Sequence, residues 1–189
     1  HIHDRRQRQM CIRDSINSYY KNISYSKENT MYEYKCKIVK IVDGDTVDID
    51  LDLGFGVWLR DERVRIMGID TPESRTSDKI EKVFGLAAKD RLNSLLGGEA
   101  ILLSQVTKGG ENMKGKFGRI LGNFKTINGD NVADMLMNEG HAVAYNGGDK
   151  DNVQKQHLAN RQRLIDEGKV PTPEGMTLTP NKHNTCLLY

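Results

Sequence analysis

The sequence has little cysteine: Cys11, Cys36 and Cys186 are its only three in 189 residues. They are too few and too scattered for a disulfide framework or a zinc cluster. No apolar run is long enough to cross a bilayer, which excludes a membrane-spanning protein. No charged, then apolar, then small-residue leader is present, so the chain as given shows no conventional signal peptide. No internal repeat is visible. With 37% hydrophobic and 29% charged residues, the chain suits one globular domain with polar extensions and leaves little room for two.

The formal charge of +2 is concentrated at the start of the chain. Residues 1–15 carry net +2 and residues 16–30 net +1, which leaves −1 for residues 31–189. Affinity for phosphate must then come from local arrangement, not from net charge. The ends resemble translated sequencing-library adapter. Asp4 to Asp14 can be read through the transposon end used to tag DNA fragments, and Cys186 to Tyr189 through its reverse complement. The organisation expected is adapter-derived sequence over 1–15 and 185–189, an arm or read-through upstream region over 16–33, a folded domain over 34–168 and a flexible tail over 169–184. Only Cys36 then stands as a native cysteine, and a lone strand cysteine usually serves as a small core hydrophobe.

From Tyr34 the pattern turns to strand. Tyr34 to Val42 runs to a tight turn at Asp43-Gly44-Asp45. In the next run Val47, Ile49 and Leu51 alternate with Asp48, Asp50 and Asp52, the period of a strand with one buried face. A third strand is expected over Val57 to Ile69, with Val64 and Ile66 opposite Arg63 and Arg65. The link before it carries Phe55 and Trp58, read as a local hydrophobic plug over a stacking pair. Lys79 to Leu96 shows helical spacing and is stopped by Gly97-Gly98. Strands are expected over Ala100 to Val106 and Phe117 to Thr126, and helices over Val132 to Asn138 and Asn152 to Glu167. Five strands and three helices in this order indicate a small α+β domain, built on a closed or nearly closed five-stranded barrel of the oligonucleotide-binding (OB) type.

The chemistry gathers in Asp43-Gly44-Asp45-Thr46 and Asp70-Thr71-Pro72-Glu73. Both lie where a strand meets a turn, so their carboxylates can converge at one barrel end. Hard oxygen donors on loops suit Ca²⁺ or Mg²⁺, and Pro72 holds Thr71 extended, aiming its carbonyl the same way. Taken singly, each motif also fits an ordinary acidic turn. Arg65 and Arg119 add guanidinium forks that match a phosphate, although an isolated arginine more often makes a surface ion pair. His141 and His157 read as structural histidines, because two separated ones lack a third metal ligand.

These residues, as Ile41 to Val47, Arg65 to Glu73, Lys116-Phe117-Gly118-Arg119 and Gly140 to Tyr145, resemble the staphylococcal nuclease family. Gln156-His157-Leu158 adds to the resemblance, which runs from about Lys37 to Glu167. It implies the five-stranded OB barrel with three helices. It further implies a nuclease that hydrolyses DNA and RNA with little sequence preference and leaves 3′-phosphate ends. In that reading Asp45, Asp70 and the Thr71 carbonyl hold Ca²⁺, and Asp43 acts behind them. Glu73 activates water, and Arg65 and Arg119 grip the scissile phosphate. Lys114, Lys116, Phe117 and Tyr145 are candidate substrate contacts. Tyr145 fits a partly buried core position equally well, and Phe117 stands where the family often has tyrosine. A monomer is expected, and the missing leader weighs towards an intracellular protein. The alternatives are a non-catalytic nucleic-acid-binding module and a protein-interaction barrel, but degenerate relatives lose an acid or an arginine, and none is lost here.

Overall fold

A computed structural model describes residues 32–105, 118–148 and 150–176. The loop carrying Lys114, Lys116 and Phe117, both chain ends, and the second half of the expected tail lie outside the described residues. The order of elements is β1 (Tyr32–Asp43), β2 (Thr46–Asp52), β3 (Trp58–Ile66), β4 (Ile69–Asp70), α1 (Lys79–Leu96), β5 (Glu99–Ser104), β6 (Ile120–Lys125), α2 (Val132–Glu139), β7 (Val143–Ala144) and α3 (Lys150–Asp166).

Strands β1, β2, β3, β6 and β5 close a barrel in that order, while β4 and β7 form a separate two-stranded ribbon. The β3–β6 pairing is parallel and the other barrel pairings are antiparallel. The five-stranded barrel with three helices expected from the sequence is the fold observed. The alternation in β2 sets its inward face: Val47, Ile49 and Leu51 enter a core with Val64, Ile66, Leu102 and Phe124. Helix α1 closes the barrel through Leu92 and Leu96. Asp78 caps its start by accepting from the Ile80 and Glu81 amides, and Gly97 ends it in the left-handed region. Cys36 is buried and its thiol donates to the Ala100 carbonyl at 3.3 Å. Burial pushes that thiol up to about 11, so it stays protonated and unreactive at neutral pH. Among the described residues no helix is long and apolar enough to cross a membrane.

Three local expectations are corrected. The third strand does not run to Ile69. It breaks at Met67-Gly68, where Gly68 takes φ 77°, and Ile69-Asp70 leaves the barrel to pair with Val143-Ala144. The Phe55–Trp58 plug does not form. Phe55 sits at the tip of the β2–β3 turn with its side chain fully in solvent (107% relative exposure). Trp58 is half-buried, flanked by the Lys37 ammonium at 5.3 Å and the Arg60 guanidinium at 5.0 Å. Asp48, expected on the solvent side of β2, is 6% exposed. It is held by two bonds from the Arg63 fork at 2.7 and 2.9 Å. A charge on an outward face becomes buried when a neighbouring strand lays an arginine over it.

A second, smaller cluster joins α1 to the end of the fold. Phe84, Leu164 and Val170 are buried together, so the chain beyond α3 begins as a packed segment. His141 is buried with its Nδ1 unpartnered. Desolvation, which favours the neutral ring, pushes it below its ordinary value, against the pull of Glu139.

Candidate functional site

The site is assembled by strand register. Thr46 pairs with Arg65 across β2 and β3, which puts the Asp43-Gly44-Asp45 turn beside Arg65. Arg65 pairs with Leu121 across the parallel β3–β6 ladder, which brings Arg119 to the same rim. The Met67-Gly68 break then turns Asp70 back across the barrel mouth. A cleft of about 610 Å³ results, lined by Asp43, Asp45, Arg65, Asp70, Glu73 and Arg119 among others. Five of the six residues assigned catalytic or metal roles from the sequence line it. The sixth, Thr71, is buried immediately behind, its hydroxyl donating to Asp45 Oδ2 at 3.2 Å.

Each carboxylate is held by a different device. Asp43 Oδ1 accepts from the Gly44 amide at 3.0 Å and the Ser74 amide at 3.2 Å. It thus staples the first acidic turn to the loop that carries Glu73. Asp45 accepts from the Thr46 hydroxyl at 2.8 Å and makes an ion pair with Arg65. Asp70 Oδ1 lies 3.6 Å from the same guanidinium, and its Oδ2 lies 3.0 Å from His157 Nε2. Glu73 stands at the open edge. Desolvation, then the neighbouring charge and hydrogen bond of Asp43, push its carboxyl above the usual glutamate range. Arg65 is pushed down by burial and by Arg119, opposed by Asp70, Glu73 and Asp43.

Gly44 and Gly85 permit this packing. A Cβ on Gly44 would meet the Thr71 hydroxyl at 2.8 Å. A Cβ on Gly85 would stand 2.5 Å from the Glu73 carbonyl and 2.6 Å from the Ser74 amide nitrogen. Helix α1 therefore backs directly onto the main chain of the Glu73 loop, and backbone cannot yield as a flexible side chain can. Gly85→Ala is expected to cost about 1–3 kcal/mol of stability and to lower kcat by about tenfold or more by displacing Glu73. Urea denaturation together with kcat at saturating metal checks both parts.

The donor set fits a hard cation. Asp45 and Asp70 both reach one guanidinium, so their carboxylates lie within the span of a single positive group. Their oxygens, with the Thr71 carbonyl and water, are the ligands Ca²⁺ takes. Among the described residues no group of three His, Cys, Asp or Glu side chains closes a metal cage.

Tyr145 is half-buried, and its amide donates to the Gly68 carbonyl at 2.8 Å beside the β4–β7 ribbon. Sequence reasoning missed two residues. Gly85 looks like any small residue on a helix. His157 is buried as a structural histidine is expected to be, but the sequence does not show that its partner is the Asp70 carboxylate. The signal for it lay in the spacing: His157, Arg161 and Leu164 are the buried stripe of α3, and a polar side chain in such a stripe requires a partner.

Comparison with known proteins bears on the family. The family model described as "Staphylococcal nuclease homologue" matches residues 63–169. That span holds Arg65, Asp70, Thr71, Glu73, Arg119 and His157, while Asp43 and Asp45 lie ahead of it and join the site through the β2–β3 register. Endonuclease YhcR of Bacillus subtilis (strain 168) is 30% identical over 119 residues, 60% of this chain and 9% of that protein. A protein of Escherichia coli named "Uncharacterized endonuclease" is 27% identical over 109 residues, 58% of this chain and 60% of that protein. The chain thus spans less than two thirds of the length of either relative. With a matched span covering more than half its residues, the chain belongs to the staphylococcal nuclease family.

Proposed function

We propose that the cleft is the active site of a Ca²⁺-dependent endonuclease that hydrolyses DNA and RNA with little sequence preference. The observation that carries this reading is the convergence of Arg65, Arg119, Asp45, Asp70 and Glu73 on one 610 Å³ cleft. Both relatives quoted above are named endonucleases.

In this reading Asp45, Asp70 and the Thr71 carbonyl would hold Ca²⁺, which would supply positive charge to offset that of the phosphate. Glu73 takes the proton of the attacking water. A carboxylate is a weak base at neutral pH, and its raised pKa brings Glu73 closer to the value general-base catalysis favours. The water oxygen bonds to phosphorus, the bond to the 5′ oxygen breaks, and that oxygen leaves with a proton from solvent. Arg65 and Arg119 donate to the phosphoryl oxygens as charge builds on five-coordinate phosphorus, where pre-aimed donors contribute most. Asp43 keeps the Glu73 loop in register through the Ser74 amide. Lys116, Phe117 and Tyr145 are proposed to contact the flanking nucleotides, by backbone charge or stacking.

The test is end-group analysis of the fragments from a single-stranded DNA oligonucleotide. The expected products carry 3′-phosphate and 5′-hydroxyl ends. Fragments with 5′-phosphate ends would refute the assigned bond, and intact DNA with salt-sensitive binding would favour the non-catalytic module.

A further inference from the structure

We infer that His157 is a positioning residue for Asp70, setting which carboxylate oxygen is offered to the cation. The inference deepens the Ca²⁺ reading above and rests on it. Asp70 lies on the ribbon β4–β7, whose strands are two residues each and stand outside the barrel ladder. Such a short ribbon fixes its side chains poorly on its own. Helix α3 supplies the missing support at two points. Asn160 Nδ2 donates to the Ala142 carbonyl at 3.5 Å, next to β7. His157, 6% exposed, brings Nε2 within 3.0 Å of Asp70 Oδ2.

The two oxygens of Asp70 therefore have separate partners. Oδ2 belongs to His157, and Oδ1 faces the Arg65 guanidinium at 3.6 Å. That division stops the carboxylate from closing on Arg65 as a two-pronged pair. Such a pair would take both oxygens from the cation and the arginine from the phosphate. A neutral imidazole donating through Nε2–H suffices, so the role requires no change of protonation. Hydrogen-bonded partners of a metal-binding carboxylate typically carry a 10- to 100-fold effect on metal affinity.

The experiment measures Ca²⁺ binding to the full chain by calorimetry without DNA, alongside thermal unfolding in chelator. His157→Phe removes the donor while filling the buried volume. It is expected to weaken Ca²⁺ binding about 10- to 100-fold while the protein still unfolds cooperatively. His157→Gln, whose amide can donate to the same oxygen, is expected to stay within about threefold of wild type. Asn160→Ala loosens the other α3 contact without touching Asp70. It is expected to lower the unfolding temperature and leave Ca²⁺ affinity unchanged. If the Phe protein does not fold, His157→Asn, whose amide is too short to reach, replaces it with the same expectation.

A folded Phe or Asn variant that binds Ca²⁺ like wild type overturns the positioning role alone. So does an Asn160→Ala protein that loses as much Ca²⁺ affinity as the His157 variants, because general anchoring by α3 would then explain the effect. Wild-type protein that binds no Ca²⁺ overturns the metal reading itself, and the positioning role with it.

Discussion

Replacing Glu73 by Gln is expected to lower kcat on single-stranded DNA by about 10³-fold, within the usual range for losing a general base, without lowering the unfolding temperature at pH 7. The two effects separate because Glu73 is poorly suited to its surroundings as a charged group. Desolvation and the neighbouring Asp43 raise its pKa in the folded protein. A carboxyl whose folded pKa is raised destabilises the folded state once ionised, and that penalty is present above its folded pKa and absent well below the unfolded one. The amide removes the charge and keeps the shape, so at pH 7 the penalty goes and the fold gains. The sign reverses for catalysis, since the same repulsion makes Glu73 a better proton acceptor. Stopped assays of kcat beside thermal scans at pH 7 check the pair. A Gln protein with near wild-type kcat would remove Glu73 from the water-activating role.

The second large effect belongs to Arg65. Arg65→Lys is expected to lower kcat/KM by about 10²- to 10³-fold, the scale of losing a pre-aimed donor to a developing oxyanion. Lysine keeps the charge and loses the fork. That fork pairs with Asp45, lies 3.6 Å from Asp70 and also reaches the Asp45 and Ile69 carbonyls, at 3.5 and 3.3 Å. A single ammonium cannot make these contacts together. Arg65→Ala should go further and leave Asp45 without its guanidinium. Its stability in chelator is expected to fall by about 1–3 kcal/mol, less than for a fully buried pair because both side chains are partly exposed. Added Ca²⁺ should restore part of that loss by mass action on the folded state. Urea denaturation of the Ala protein, in chelator and in Ca²⁺, separates this from a purely kinetic role. Equal stability of wild type and the Ala protein in both buffers would contradict the assignment of Arg65 as the counter-charge of the cleft.

Much of this cleft is legible in the sequence. The alternation of Val47, Ile49 and Leu51 placed β2 on the core, and the Asp43-Gly44-Asp45 turn placed two carboxylates at its head. What escaped depends on contacts between residues far apart in sequence. His157 and Asp70 are 87 residues apart, and nothing local to either indicates the pairing. The break after Ile66 is a single Gly68 at positive φ inside an otherwise strand-like run, so periodicity alone carried the third strand too far. Asp48 obeyed the alternation and still became buried, because accessibility on the outer face depends on which side chain the next strand supplies. Phe55 is the opposite case: an aromatic ring that the pattern assigned to a plug stands in solvent at a turn tip. The sequence motifs bring the carboxylates and arginines to one cleft, whereas the contacts that support them are visible only in three dimensions.

The measurement that tests the central claim most directly is the rate of single-stranded DNA hydrolysis by the full chain as Ca²⁺ is titrated from excess chelator to saturation. The account predicts no cleavage in chelator, a rate that saturates with Ca²⁺, and full reversal when chelator is restored. A rate that is unchanged between chelator and Ca²⁺, or intact DNA at every concentration from a folded protein, would contradict it.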